Sequence, residues 1–303
     1  MVLISIVQGI FKTLAWFAGF SEYYVQVDDI EWSYLDTDNG KTDKPIVLYL
    51  HGFSSIKGSM LRVARPSSYE YRVIVPDLPG HGNTTAPTVT TYRATEQAVR
   101  LEAFLDKVIG QAKIHVVGCS MGGMIAGTYA AMFPDRVESV TLICPAGITM
   151  PKKSPLLQIF EDSGENYMRA TTADDFIRLH GYMFHNPRRI PHWVANAIAK
   201  ERARQGETLE RLMDDILLDF QTLDDKLSQI QSPCQVIWGD NDRILDNSSI
   251  ELIRKTIPED RLDVHMVPDA GHCVHQEKHA EVGQLVLDFL TKKTSSTQFN
   301  LNI

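Results

Sequence analysis

Basic residues are scarce and scattered in this chain. Its 303 residues carry 30 Lys and Arg against 38 Asp and Glu, a formal charge of −8 at neutral pH. Apart from the local pair Arg188-Arg189 there is no run or face of cations of the kind that phosphate binding requires, so nucleic acid is excluded as a partner. Cysteine is sparser still. Cys119, Cys144, Cys234 and Cys273 show no C-x-x-C spacing, which removes both a zinc site and a thioredoxin-like pair. Each falls in or beside an expected strand end, as buried free thiols do, and this favours a cytoplasmic or cytosol-facing location. Long apolar runs are missing too, with one exception. Val2 to Phe20 is apolar but for Ser5, Gln8, Lys12 and Thr13, which at about 100° per residue share one helical face. The stretch lacks the leading positive charge and the cleavage site of a signal peptide, and Gln8 and Lys12 near its centre make a membrane crossing costly. Residues 1–20 therefore read as an amphipathic helix that either makes peripheral membrane contact through residues 2–20 or packs on the protein's own surface.

What is present is a repeating alternation. From Ile30 to Cys144, short apolar runs rich in Val and Ile alternate with longer amphipathic stretches, the order expected of βα units and a mostly parallel sheet with helices on both faces. Strands are expected at Ile30–Leu35, Pro45–Leu50, Arg72–Pro76, Ile114–Gly118 and Ser139–Cys144, and helices at Thr95–Val108 and Ser120–Met132. The pattern then breaks. Residues 149–227 are helix-rich, charged, and hold no convincing strand; Gln235–Gly239 and Leu262–Val267 resume the strand series, and a helix over Ala280–Leu290 closes it, leaving a polar, frayed tail from Ser295. An excursion of that size between two strands is placed to form a cap over a ligand site. The organisation read here is a core of 21–148 and 228–303 with a helical cap at 149–227.

Gly118-Cys119-Ser120-Met121-Gly122 matches G-x-S-x-G directly between an expected strand and an expected helix. In that context the motif has a mechanical meaning: a sharp turn exposes the serine at the helix N-terminus, and the flanking glycines avoid the collisions the turn would otherwise cause. A serine hydroxyl needs a base to take its proton and an acid to orient the base. Of ten histidines, His272 in Asp269-Ala270-Gly271-His272 lies in a glycine-containing loop beyond the last strand. The acid has competitors, since Trp238 to Asp246 offers Asp240, Asp242 and Asp246. Asp242 is chosen as far enough past the strand end to turn inward; Asp240 reads as bracing the turn and remains its nearest rival, and Asp246 reads as the cap of a helix at Ser248–Thr256. The oxyanion calls for two backbone donors, the amides of Met121 and of Phe53 in His51-Gly52-Phe53. His51 reads as structural and Asp77 as bracing its own loop. Acyl transfer by these residues needs no metal or organic cofactor. A neutral His272 is required, so turnover should fall in acid.

With His51-Gly52-Phe53, Asp77-Leu78-Pro79-Gly80-His81-Gly82, Gly118-Cys119-Ser120-Met121-Gly122-Gly123, Trp238-Gly239-Asp240-Asn241-Asp242 and Gly271-His272 in this order, the chain resembles the α/β-hydrolase superfamily from about Ile30 to Leu290. Cys144-Pro145-Ala146-Gly147, the threonines after Gly82, and Trp238 to Asp246 look like its monoacylglycerol-lipase branch. That resemblance implies an α/β-hydrolase fold with an inserted cap and hydrolysis of a monoacylglycerol or similar acyl ester. Serine at position 120 sets the chain apart from dehalogenases and epoxide hydrolases of this fold, which use aspartate there. A carbon–carbon bond hydrolase with the same three residues, and a non-catalytic ligand-binding protein, are the alternatives. Cys119 beside the nucleophile and Cys273 beside the base carry a further expectation, that bulky thiol reagents block the enzyme.

Overall fold

The structure is a computed structural model; it describes residue 15 and residues 19–88 and 91–300, with side chains to Lys292. Eight strands form one sheet: β1 Ser21–Val27, β2 Ile30–Asp36, β3 Ile46–Leu50, β4 Arg72–Pro76, β5 Ile114–Cys119, β6 Val137–Ile143, β7 Cys234–Gly239 and β8 Leu262–Val267, in the spatial order β1-β2-β4-β3-β5-β6-β7-β8. β1 and β2 make an antiparallel hairpin, β2 runs antiparallel to β4, and every later pairing is parallel. The continuous apolar runs have a physical reason. β3, β4, β5 and β7 are buried at every position, as strands covered on both faces must be. The strand series read from the sequence begins at Ile30 and omits β1, an edge strand half exposed along its length.

Helix α1 (Ala94–Ile109) buries Ala94, Ala98, Leu101, Phe104 and Leu105, one stripe at helical spacing, and stops at Gly110 with φ +60°. Helix α2 (Met121–Met132) is buried from Met121 to Ala131. Its small residues are what allow that: an added Cβ at Gly123 would lie 3.0 Å from Pro145, and one at Gly127 would lie 3.0 Å from Leu223.

Between β6 and β7 no strand occurs among the described residues. That excursion holds helices α3 (Pro155–Ser163), α4 (Ala173–Met183), α5 (His192–Arg204) and α6 (Gly206–Leu218). Local signals set their ends. Ser154 Oγ accepts the Leu157 amide at 3.2 Å ahead of Pro155, Gly164 closes α3 at φ +74°, and Thr172 Oγ1 accepts the Asp175 amide at 3.2 Å, each relieving backbone groups that a helix terminus leaves bare. The excursion has a small core of its own. Leu156, Ala170 and Leu179 pack with Ile244, and Tyr167, Phe176, Tyr182 and Met183 close around them.

Helix α7 (Ser249–Thr256) follows β7, and α8 runs from His279 to Asn300. The expected frayed tail is thus corrected: the closing helix continues past Leu290 to Asn300. The amphipathic helix expected over 2–20 lies outside the described residues except for Ala15, Gly19 and Phe20, and Ala15 and Phe20 are buried in the main core. Among the described residues no helix is long and apolar enough to cross a membrane.

Candidate active site

The carboxyl ends of β3, β5, β7 and β8 carry the residues of interest. At the end of β5 the backbone turns so sharply that Ser120 takes φ +56°, ψ −118°, a conformation a non-glycine residue holds only when its surroundings impose it. They do so here through bare backbone. The Ser120 amide donates to Ile143 O at 2.9 Å and its carbonyl accepts from Ala146 N at 3.1 Å. An added Cβ on Gly118 would lie 2.1 Å from Gly122 O, and one on Gly122 would lie 2.5 Å from both Leu50 O and His51 O. The glycines two before and two after the serine are therefore spatial necessities. The Met121 amide opens α2, where no partner within the helix exists and the helix dipole favours negative charge.

The loop after β3 lies against the serine: a Cβ on Gly52 would stand 3.3 Å from Ser120 Cβ and 3.8 Å from its Oγ. Phe53, Ser120 and Met121 line one pocket. Two buried histidines shape this loop. His51 Nε2 accepts the Leu78 amide at 3.0 Å, and His81 Nε2 accepts the Ser54 amide at 3.1 Å. Burial pushes His51 down to about 4 and His81 to about 3, so both stay neutral acceptors. Asp77 braces the neighbouring turn by accepting Asn83 N at 2.9 Å and Lys57 N at 2.6 Å. It also pairs at 2.5 Å with Lys57 Nζ, a buried cation that also lies 3.1 Å from Glu22; no motif marked Lys57 in the sequence.

Asp242 and His272 meet. His272 Nδ1 donates to Asp242 Oδ2 at 2.8 Å, both side chains being buried. The carboxylate takes three more donors: Trp238 Nε1 at 3.0 Å on Oδ2, and the Ile244 and Leu245 amides at 2.9 and 3.0 Å on Oδ1. With its proton on Nδ1, the imidazole keeps the Nε2 lone pair of a general base. No hydrogen bond joins His272 to Ser120 in this structure, a bond that in such sites often tightens only around substrate. Asp240 stays exposed and accepts the Ala270 amide at 3.3 Å. Asp246 accepts the Ser248 amide at 3.0 Å but is not the cap expected of it: α7 begins at Ser249 with Ser248 at its N-cap, two positions after Asp246.

Glycines again let two loops touch, because a Cβ on Gly239 would fall 2.4 Å from Gly271 O. The excursion between β6 and β7 clasps the same loops. Arg243 donates to Gly181 O at 2.5 Å and Phe184 O at 2.8 Å, the Cys273 amide donates to Met183 O at 2.9 Å, and Glu277 accepts the Gly271, His185 and Asn186 amides at 2.7, 3.2 and 3.1 Å. None of these was legible beforehand, since each joins residues far apart in the chain.

The apolar residues of 149–227 divide between two tasks. Met150, Leu156, Leu157, Phe160 and Met168 line the pocket at Ser120 together with Met213, Ile216 and Leu217, and Leu156 and Met168 also reach the excursion's own core, where Phe176, Tyr182 and Met183 pack away from the pocket. All four cysteines are free and buried. Cys119 Sγ lies 3.3 Å from His275 Nδ1, and burial raises the thiols of Cys119 and Cys273 well above the ordinary range. Burial of both thiols weighs against the thiol-reagent expectation, because attack needs an accessible thiolate.

A family model described as the alpha/beta hydrolase fold matches residues 45–279, and with a serine elbow and an Asp–His pair at the carboxyl ends of a mostly parallel sheet, the chain belongs to the α/β-hydrolase family, in its lipase branch. It is 31% identical over 274 residues to monoacylglycerol lipase abhd6-B of Xenopus laevis, covering 86% of this chain and 80% of that protein. Among solved structures it is similar to a bacterial membrane phospholipase A described as a virulence factor, with a TM-score of 0.87, 33% identity, and coverage of 97% of this chain and 92% of that one. A 2-hydroxy-6-oxo-6-phenylhexa-2,4-dienoate hydrolase from a Rhodococcus strain superposes with a TM-score of 0.74 at 19% identity, over 90% of this chain and 99% of that one, a likeness of fold alone.

Proposed function

We propose that this protein is a serine ester hydrolase acting on lipid acyl esters through Ser120, His272 and Asp242, and that an uncharged glyceryl ester such as a monoacylglycerol is its preferred substrate. The observation that carries the reading is the pocket at Ser120: among the described residues its lining is overwhelmingly apolar, with Glu165 as the one charged side chain and no basic residue. An acyl chain fits such walls. A phosphate headgroup or the carboxylate of a dienoate finds no cation there, which weighs against a phospholipid and against the carbon–carbon bond hydrolase alternative.

Ser120 Oγ attacks the ester carbonyl as His272 Nε2 takes its proton, and Asp242 steadies the imidazolium that forms. The Phe53 and Met121 amides receive the oxyanion. His272 then protonates the leaving alcohol and next activates the water that releases the fatty acid, restoring the serine. The excursion between β6 and β7 acts as a lid, since α3 and α6 supply much of the pocket wall.

Ser120→Ala should lower ester turnover about a thousandfold or more with circular dichroism unchanged, and it should abolish labelling by a fluorophosphonate; turnover that survives defeats the nucleophile assignment. Paired assays of a monoacylglycerol and a lysophospholipid of the same acyl length should favour the neutral ester, and a preference for the phosphate-bearing one overturns the substrate reading.

A further inference from the structure

Arg202 on α5 is buried, and no carboxylate lies within ion-pair distance of it among the described residues. Burial pushes its guanidinium down to about 10, so it remains a cation at neutral pH. Its three nitrogens go instead to neutral acceptors. Nε donates to Ala170 O at 2.7 Å, Nη2 to Met168 O at 2.5 Å, and Nη1 to Ser54 Oγ. Sinking a charge among neutral groups is costly unless its donors are all engaged, and a rigid fork of donors is suited to holding several pieces of chain in register.

The pieces it holds are informative. Met168 is part of the pocket wall at Ser120. Ser54 directly follows Phe53 and has φ +53°, the left-handed conformation that a serine keeps only under outside constraint. Two groups supply that constraint: His81 Nε2, which accepts the Ser54 amide at 3.1 Å, and Arg202, which holds its hydroxyl. Phe53, Met168, Ala170 and Arg202 also line one small cavity where the excursion meets the β3 loop.

We infer that Arg202 is a positioning residue for ester hydrolysis: by clamping Ser54 to the pocket wall it aims the Phe53 amide at the developing oxyanion, so that this donor is in place only when the excursion is seated. The inference rests on the reading of Phe53 as an oxyanion donor. It makes the excursion a part of the transition-state machinery as well as a cover.

Arg202→Met and Ser54→Ala test it, each read out as kcat, KM and affinity for an alkyl trifluoromethyl ketone, which adds to the serine as a tetrahedral oxyanion, alongside a long-chain alcohol that competes without forming one. Because a donor misplaced by about 1 Å costs up to a hundredfold, Arg202→Met should lower kcat by roughly tenfold to a hundredfold with KM nearly unchanged. The ketone's affinity should fall in step with kcat and the alcohol's should not. Ser54→Ala should fall in the same direction, and the double variant should be no worse than Arg202→Met alone. An unchanged kcat, or equal losses in kcat, 1/KM and both inhibitors, overturns the proposal. If Arg202→Met does not fold by circular dichroism, Ser54→Ala, which removes one hydroxyl, decides by the same criteria. Ester turnover that persists in Ser120→Ala would instead defeat the hydrolase reading beneath it.

Discussion

Asp240 and Asp242 follow the same strand two positions apart, and their oxygens meet different worlds. Asp242 is buried among four donors, one of them His272; Asp240 stays in solvent and steadies the Ala270 amide. In Asp242→Asn the amide group would oppose the Nδ1 proton and favour the wrong imidazole tautomer, so turnover should drop by about three orders of magnitude or more with the fold intact. Asp240→Asn should stay within a few-fold of the parent. Steady-state kinetics of the pair decides between them, and reversed losses would reassign the acid. That Asp242 turns inward to meet His272 was legible from its distance past the strand end. The indole donor was not, although Trp238 was visible in the motif, because its reach to Asp242 depends on how the intervening turn closes.

Helix α2 shows how one element couples stability to chemistry. Its first turn approaches β3 so closely that Gly122→Ala would press a methyl against two carbonyl oxygens 2.5 Å away. The helix start must then shift, and it carries Ser120 and the Met121 amide with it. Calorimetry should show a lower Tm, corresponding to a loss of about 1–3 kcal/mol, together with reduced turnover. Gly181→Ala in α4 is the control. Nothing lies within 4 Å of its added Cβ, so it should be neutral or stabilising by up to about 1 kcal/mol, and a matching loss there would remove close approach as the cause. Among the elements, the central parallel strands were readable as continuous apolar runs because both their faces are covered. β1 was not, since an edge strand half in solvent writes no comparable pattern. The excursion was readable as a break in the strand series, while the division of its apolar residues between pocket and private core required the packing itself.

Across the whole molecule, four buried histidines besides His272 are held neutral by desolvation: His51 and His115 at about 4, His81 and His275 at about 3. Desolvation is the leading cause for each. The unfolded chain takes up protons on these residues at the ordinary histidine value of about 6.5, before the folded chain does. Between about pH 6.5 and 4 the unfolded state therefore binds more protons, so stability is full above that window and declines as pH falls through it. Urea unfolding at pH 7.5, 6 and 5 should show the midpoint falling stepwise; an unchanged midpoint at pH 5 contradicts the buried-neutral assignment.

The excursion also bears on modularity. On paper, residues 149–227 are a passenger between two strands, the sort of segment that is excised or exchanged to make a smaller or retargeted enzyme. Yet cutting them away would leave the Arg243 guanidinium without its two carbonyls, the Cys273 amide without Met183 O, and Glu277 with one of its three amides. These orphaned groups sit on the loops that present Asp242 and His272. A transplanted segment would have to reproduce those partners residue for residue, so the scaffold and its excursion are inheritable only as a pair.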